Sequence, residues 1–270
     1  MKAALKYPGS KWTAAEWITS FFPPHNFYLE PFFGSGAVYF NKPPSKYETV
    51  NDIDRLVVNF FKACRDFPEE LARAVYFTPY ARNEYTGIEE THGGEDIQLS
   101  GDCIEDARRF AVRCMQSHGM KLATRSGWKN IKHASGGNKA VDWHSLPEKL
   151  LEIADRLKHA QIENTDAVEL IEKCNAADCL IYADPPYLKD KRSCGGKLYR
   201  YEMLSAQEHE RLLKVLLKHK GYVVLSGYDN DLYNDFLTGW HKEQRQSKNA
   251  VGGDAVETIW LNYEYQLKLE

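Results

Sequence analysis

Cys179-Leu-Ile-Tyr-Ala183 is a run of five apolar residues cut off abruptly by Asp184-Pro185-Pro186. A strand without polar alternation is buried on both faces, which calls for a largely parallel sheet with helices above and below it. The rest of the chain agrees with that demand. Trp12, Ala15, Ile18 and Phe22 recur at helical spacing across 11–22, and Pro23-Pro24 stops that helix. Phe27-Tyr28-Leu29 and Tyr47 to Val50 read as strands, and Leu56 to Cys64 as a helix. Ser145-Leu-Pro-Glu148 and Ser205-Ala-Gln-Glu208 are capping-box patterns that open two more helices. The second of these carries Leu212, Leu213, Leu216 and Leu217, and Gly221 is expected at its C′ position. Tyr222 to Leu225 and Ala255 to Tyr263 are further strands. The expected class is therefore α/β, with ligands at the C-terminal ends of the strands.

The middle of the chain, 72–144, breaks this rhythm and reads as an inserted subdomain between the two parts of a core, 1–71 and 145–270. Its loop signals are Gly93-Gly94 and Gly136-Gly137. The net charge of −3 conceals a sharp segregation there. From Asn83 to Asp106 there are eight acids and no Lys or Arg, and from Ala107 to Val141 eight Lys or Arg and no acid. The basic block, with His118, Trp128 and His133 interleaved, is expected to form one positive face of the kind that tracks phosphates. An apolar share of 43% excludes intrinsic disorder. The longest apolar runs fall far short of the ~18 residues of a membrane span, and no signal peptide is evident. Six cysteines without CxxC spacing argue against a disulfide framework or a zinc site and favour a reducing cytoplasm, and no metal is expected.

Three short motifs carry chemistry. Asp184-Pro-Pro-Tyr187 follows the buried strand directly. An exocyclic amine on an aromatic ring is a poor nucleophile, because its lone pair is delocalised. A carboxylate and a neighbouring carbonyl accepting from that amine would pull it toward tetrahedral geometry. Pro185 and Pro186 lack N–H groups and stiffen the turn, and Tyr187 can stack on a base. Asp and Pro are also ordinary turn residues, so the motif alone does not decide. Glu30-Pro-Phe-Phe-Gly-Ser-Gly36 is a glycine turn between strand and helix in which the backbone can approach a ligand closely. Tyr39 stands where a third glycine would be, which disfavours a dinucleotide. Asp52 ends the next strand, at about the ~20-residue offset from the glycine turn at which an acid holds a ribose hydroxyl. Together they point to an adenosine-containing cofactor. Tyr7-Pro-Gly-Ser-Lys11, taken alone, is an N-terminal loop.

With Asn51-Asp-Ile-Asp54, Gly119 to Gly127 and the tail from Val251 to Tyr263, these motifs stand in a familiar order and spacing. The chain resembles, over nearly its whole length, the Dam-like (D12 class) DNA adenine-N6 methyltransferases. The resemblance implies a Rossmann-like core that uses S-adenosylmethionine, with an inserted, mostly helical DNA-recognition subdomain. It implies that Tyr7, Lys11, Phe32, Gly34, Gly36, Asp52 and Asp166 bind the cofactor. Asp184, Pro185, Pro186 and Tyr187 would hold a flipped adenine, Asp184 touching the cofactor as well. Ala167 stands where the family often has an aromatic.

In the insert, Arg125 matches the family's guanine-reading arginine, and Ala123 occupies the place of an aromatic wedge. Lys121, Lys129 and Lys132 are expected on phosphates, which position without specifying. Lys189 to Arg200, with five bases and one acid, is expected to cover the extruded base. The implied partner is double-stranded DNA at the nucleoid of a bacterial or phage-infected cell, and the protein is expected to be monomeric in solution. An RNA adenine methyltransferase and a catalytically silent DNA-binding relative are the alternatives.

Overall fold

In the computed structural model the run Cys179–Ala183 is β4, buried at all five positions. The structure describes residue 3 and residues 5–92, 97, 99–118, 122, 124, 126–130, 137–188, 198–248 and 254–265. The expected loops at Gly93-Gly94 and Gly136, most of the basic stretch after Tyr187, and Val251-Gly-Gly253 lie outside these residues.

Among the described residues the strands are β1 (Phe27–Glu30), β2 (Tyr47–Asn51), β3 (Ala160–Glu163), β4, β5 (Tyr222–Gly227), β6 (His241–Lys248) and β7 (Asp254–Leu261). They form one sheet in the order β3-β2-β1-β4-β5-β7-β6. The first five are parallel and β7 enters antiparallel, in a Rossmann-like core. The strand order reverses between β1 and β4, so a crevice opens beyond their carboxyl ends.

The period-2 alternation of β4 sorts the core into two layers. Leu180 and Tyr182 join Tyr28 and Val224 in one buried cluster, and Cys179, Ile181 and Ala183 join Leu29, Val223 and Leu225 in the other. Helices α1 (Ala15–Ser20), α2 (Arg55–Asp66) and α7 (Leu146–Leu157) contribute to the first cluster. Helices α8 (Ala167–Lys173) and α9 (Ala206–Leu217) contribute to the second, with α10 (Asp231–Phe236) beside them. Between α2 and α7 the chain forms α3 (Pro68–Tyr76), α4 (Arg82–His92), α5 (Cys103–Gln116) and α6 (Lys139–His144). Tyr85, Phe110, Met115 and Trp143 of this stretch share the buried cluster of Val50 and Phe60.

Several local expectations change. The first helix begins only at Ala15, because residues 11–14 form turns that carry Lys11 toward β4. The capping box at Ser205 forms, but the one at Ser145 does not. Ser145 is itself helical, since α6 runs almost directly into α7, and its hydroxyl donates to Asp142 O. Gly221 is not a left-handed C′ residue. A Cβ there would meet the carbonyl oxygens of Cys179 at 2.2 Å and Ala176 at 2.6 Å, so close approach of the chain demands glycine. The last strand stops at Leu261, where the Asn262 side chain takes over the pairing to Val223 N and Gly221 O.

The first three bases of the basic block do not contribute to a positive face, and Lys121, Arg125 and Lys132 lie outside the described residues. Arg108 and Arg109 turn to Glu105 and Glu84, and Arg113 is 1% exposed. Arg108 joins α5 to α4 through Glu84, both arginines neutralise Glu105, and Arg113 donates to Leu122 O. A second charged group is buried outright. Glu48 on β2, its side chain fully enclosed, accepts from Arg156 of α7, from Lys42 and from Ser45 N. Burial alone would raise its pKa, but these donors outweigh it and bring the carboxyl down to about 2. Its folded value lies below the unfolded one, so its contribution is full above about pH 4.5 and is lost as pH falls through 2. Glu48→Gln should destabilise the protein by about 3–5 kcal/mol in urea unfolding at pH 7, because two cations stay buried without their anion. A loss under about 1 kcal/mol would reduce the network to the worth of a surface pair.

Candidate active site

Three strand ends are tied together at the crevice. The turn after β1 is anchored by Phe33 N donating to Asn51 O. Gly34 (φ +50°) and Gly36 (φ +66°) take left-handed conformations that favour glycine. The offset between Gly34 and Asp52 is realised as a direct bond, Gly34 N donating to Asp52 Oδ2 at 2.8 Å. Asp52 Oδ1 accepts from Asp54 N at 2.8 Å. Asn51 completes the join by donating from Nδ2 to Pro31 O and Thr165 O, while Thr165 N donates to its Oδ1. Asn51 was not singled out in the sequence. Only the three-dimensional meeting of the turns after β1, β2 and β3 gives it a role.

The crevice encloses a cavity of about 300 Å³. Of the residues expected at the cofactor, Tyr7, Lys11, Phe32, Gly34, Asp52, Asp166 and Asp184 line it, as does Pro186 of the turn after β4. Gly36 does not. A Cβ there would meet the rings of Phe33 and Phe40 at 2.6 Å, so its part is to let the turn close over aromatics. Pro185 and Tyr187 also stand outside the lining. Asp166 caps α8 through Val168 N and Glu169 N, and pairs with Arg211. Tyr199, Arg200 and Tyr201 close the opposite wall. Arg200, the last base of the segment expected to cover the target adenine, pairs instead with Asp54 at 2.8 Å.

Beside the cavity lies a compact group of charges. Lys11 Nζ stands 2.9 Å from Asp184 Oδ2 and 3.8 Å from Glu257 Oε1, donates to Gly9 O, and lies 4.7 Å from the centre of the Tyr187 ring. Burial acts against its charge, but the two carboxylates overcome it and raise its pKa. Tyr187 donates its hydroxyl to Glu257 at 2.5 Å. Asp184 Oδ1 is buried and has no hydrogen-bond partner among the described residues. A buried acceptor left unpaired costs about 1–3 kcal/mol, so this oxygen is set to receive a donor from a ligand. Such a donor would meet a carboxylate held in place on its other oxygen by Lys11.

Glu30 and Glu257 were given no role from the sequence. Glu30 is buried at the end of β1 and accepts from Tyr28 at 2.6 Å. Glu257 comes from β7, far along the chain, and no spacing rule links it to Asp184. Among the described residues no cluster of His, Cys, Asp and Glu could hold a metal, and no helix is long and apolar enough to cross a membrane.

The expected recognition hairpin is paired at its base. His118 N donates to Gly127 O, Lys129 N to Gln116 O, and Ser117 bridges Trp128 antiparallel. Lys129 is half-buried near Lys6 and Lys139. Lys121, Ala123, Arg125 and Lys132 lie outside the described residues.

Comparison with known proteins places the chain in a family. The family model described as D12 class N6 adenine-specific DNA methyltransferase matches residues 7–249. The Type II methyltransferase M1.LlaDCHI of Lactococcus lactis subsp. cremoris is 23% identical over 250 residues, covering 88% of this chain and 87% of that protein. A DNA adenine methylase of Vibrio cholerae serotype O1 is 25% identical over 272 residues, covering 96% and 94%. Among solved structures, the putative methyltransferase yhhF from Escherichia coli aligns with a TM-score of 0.40 at 12% identity, covering 97% and 92%.

The cavity's acids have a measurable consequence. Burial, and then the Asp54 carboxylate, push Asp52 up to about 7. Burial, aided by the charge of Asp184 and opposed by the Tyr28 hydroxyl, pushes Glu30 up to about 8. Both folded values exceed the ordinary 3.8 and 4.5. The stability linked to these protons is therefore full below about pH 4 and is lost as pH rises through 7 and 8. Glu30→Gln should gain on the wild type by up to about 1.4 kcal/mol per pH unit between pH 5 and 8, and nothing below that window. Urea unfolding of both proteins across this range checks it. A difference independent of pH would contradict it.

Proposed function

The chain belongs to the D12 class of N6 adenine-specific DNA methyltransferases, and from that premise we propose how its own residues divide the work. The enzyme transfers the methyl group of S-adenosylmethionine to N6 of adenine in DNA. When bound, the cofactor supplies an electrophilic methyl group on a sulfonium. The residues at the crevice fit it. Asp52 uses one lone pair of each oxygen on backbone N–H groups and keeps others for a ribose diol. Phe32 and Asp166, both in the cavity lining, take the cofactor's adenine in this reading, and Tyr7 packs against Gly34 in the same lining. Gly36 serves the turn.

The target adenine is extruded from the duplex, because its N6 is otherwise paired inside the stack, at a cost of a few kcal/mol. Asp184 accepts a hydrogen bond from N6 and sharpens its lone pair, with the carbonyl at Pro185 as second acceptor and the ring of Tyr187 against the base. The observation that carries this reading is the buried, unpartnered Oδ1 of Asp184 beside the cofactor cavity. Positioning supplies most of the rate, since no covalent intermediate is called for. The segment 72–144 recognises DNA, with 1–71 and 145–270 as the catalytic core. The protein is a monomer in solution and acts on double-stranded DNA, at the nucleoid within the cytoplasm of a bacterial or phage-infected cell.

Tritiated methyl transfer to duplex DNA, single-stranded DNA and structured RNA tests the assignment. Duplex DNA should be the best acceptor. Asp184→Ala should abolish transfer while calorimetry shows cofactor affinity little changed. Preference for RNA would favour an RNA enzyme, an inactive wild type a silent relative. Loss of cofactor binding in Asp184→Ala would overturn the division of roles.

Within the insert, the reading assigns Arg125 to a guanine and Lys121, Lys129 and Lys132 to phosphates, on sequence grounds. A bidentate arginine–guanine pair contributes about 1–3 kcal/mol of discrimination. Arg125→Ala should relax preference at one base pair, whereas Lys129→Ala should weaken all sites alike and lower the salt slope by roughly one unit. Affinities for single-base site variants at several salt concentrations separate the two. Equal weakening of every variant by Arg125→Ala would make it a phosphate contact.

A further inference from the structure

We propose that Glu257 is a positioning residue for methyl transfer: it anchors the Tyr187 hydroxyl and offers Lys11 a second carboxylate, freeing Asp184 for the target amine. The inference rests on the roles given above to Asp184 and Tyr187.

The geometry carries both halves. Tyr187 reaches Glu257 Oε1 through its hydroxyl at 2.5 Å, and the ring of Tyr228 packs edge-on against it at 4.7 Å. Held at its tip and its flank, the tyrosine presents a fixed plane. Lys11 is placed between two acids but is shared unequally, at 2.9 Å from Asp184 and 3.8 Å from Glu257. All three charged side chains are largely buried, the most exposed being Asp184 at 17%. Two carboxylates facing one ammonium leave an excess negative charge, which suits a reaction that brings positive charge to the site.

The charge of Lys11 works against the chemistry when it sits on Asp184. It draws electron density from the carboxylate that must polarise the amine, and it repels a nitrogen that becomes positive as it gains a methyl. Glu257 removes this conflict. A shift of about 1 Å brings the ammonium to the ~2.8 Å of a charge-assisted hydrogen bond with Glu257. Asp184 then faces the amine with its charge undivided. The carboxylate can do this only while ionised. Burial and the charge of Asp184 raise its pKa, and Lys11 and the hydroxyl of Tyr187 offset part of that shift and favour the ionised form. Arg245 lies directly across the ladder on β6, and Asp184 is the other charge facing it.

The test uses the full-length protein in single-turnover transfer of a tritiated methyl group to duplex DNA, with cofactor Kd and DNA KM measured alongside. Glu257→Gln should slow transfer roughly 10²-fold, the scale of a misplaced reacting group, with Kd and KM unchanged. Tyr187→Phe, which removes only the anchored hydroxyl, should slow transfer less, again without a change in Kd. It keeps the inference testable if Glu257→Gln does not fold. Full activity in Glu257→Gln, full activity in Tyr187→Phe, or a rate loss matched by an equal loss of cofactor affinity would overturn the proposal. Asp184→Asn in the same assay separates the two readings. If it is inactive while Glu257→Gln is fully active, this inference alone fails; if it is active, the site assignment fails.

Discussion

Phe27, Tyr28 and Leu29 of β1 pair in parallel with Cys179, Leu180 and Ile181 of β4, and both chains leave the sheet at the same edge. Because the strand order reverses there, the turn after β1 and the turn after β4 are left side by side. Every functional group at the crevice depends on that pairing. The turn from Pro31 to Gly36 comes from β1 and the acid of Asp184 from β4. The next strand outward, β2, supplies Asp52 and Asn51, and on the other side β7 supplies Glu257. Lys11 enters from the loop before α1, and the delayed start of that helix lets it reach Asp184.

Two groups of buried charges show contrasting solutions. Around Glu48 every charge meets its complement, with Arg156 and Lys42 on one carboxylate, and the network ties α7 to β2. At the crevice the acids outnumber the cations that reach them. Asp52 and Glu30 are pushed toward neutrality, and among the described residues one oxygen of Asp184 has nothing to accept. Such perturbed acids in a cleft are what a site for a cationic cofactor and an amine requires. The stability given up there is recovered elsewhere in the core, and the helices of the insert contribute to the same buried cluster as the sheet.

Much of this was legible in the sequence wherever a local pattern sufficed. The unbroken run of β4, the turns that close β1 and β2, and the capping box at Ser205 all depend on neighbours in the chain. Asp184 and Asp52 stood out because short motifs mark strand ends, whereas Tyr7 and Lys11 came only from the resemblance. What escaped depends on distant partners. His241–Lys248 contains no apolar residue and so lacks the alternation of a half-buried strand, yet it pairs along all of β7 at the sheet edge. Gly221 read as a helix cap, although its reason is the carbonyl of Cys179. The arginines of α5 read as a DNA face because charge was counted along the chain, whereas their acids lie one turn away or on α4. Glu257 and Glu30 became visible only when β7, β4 and β1 were seen together.

The central claim is that the unpartnered oxygen of Asp184 awaits the amine of an extruded adenine. A crystal structure of the enzyme with duplex DNA carrying its target site and the spent, demethylated cofactor measures this directly. The account predicts the target adenine out of the stack, its N6 within about 3.2 Å of Asp184 Oδ1, a hydrogen-bond distance. An adenine still stacked in the duplex, or an extruded base whose N6 turns away from Asp184, would contradict it.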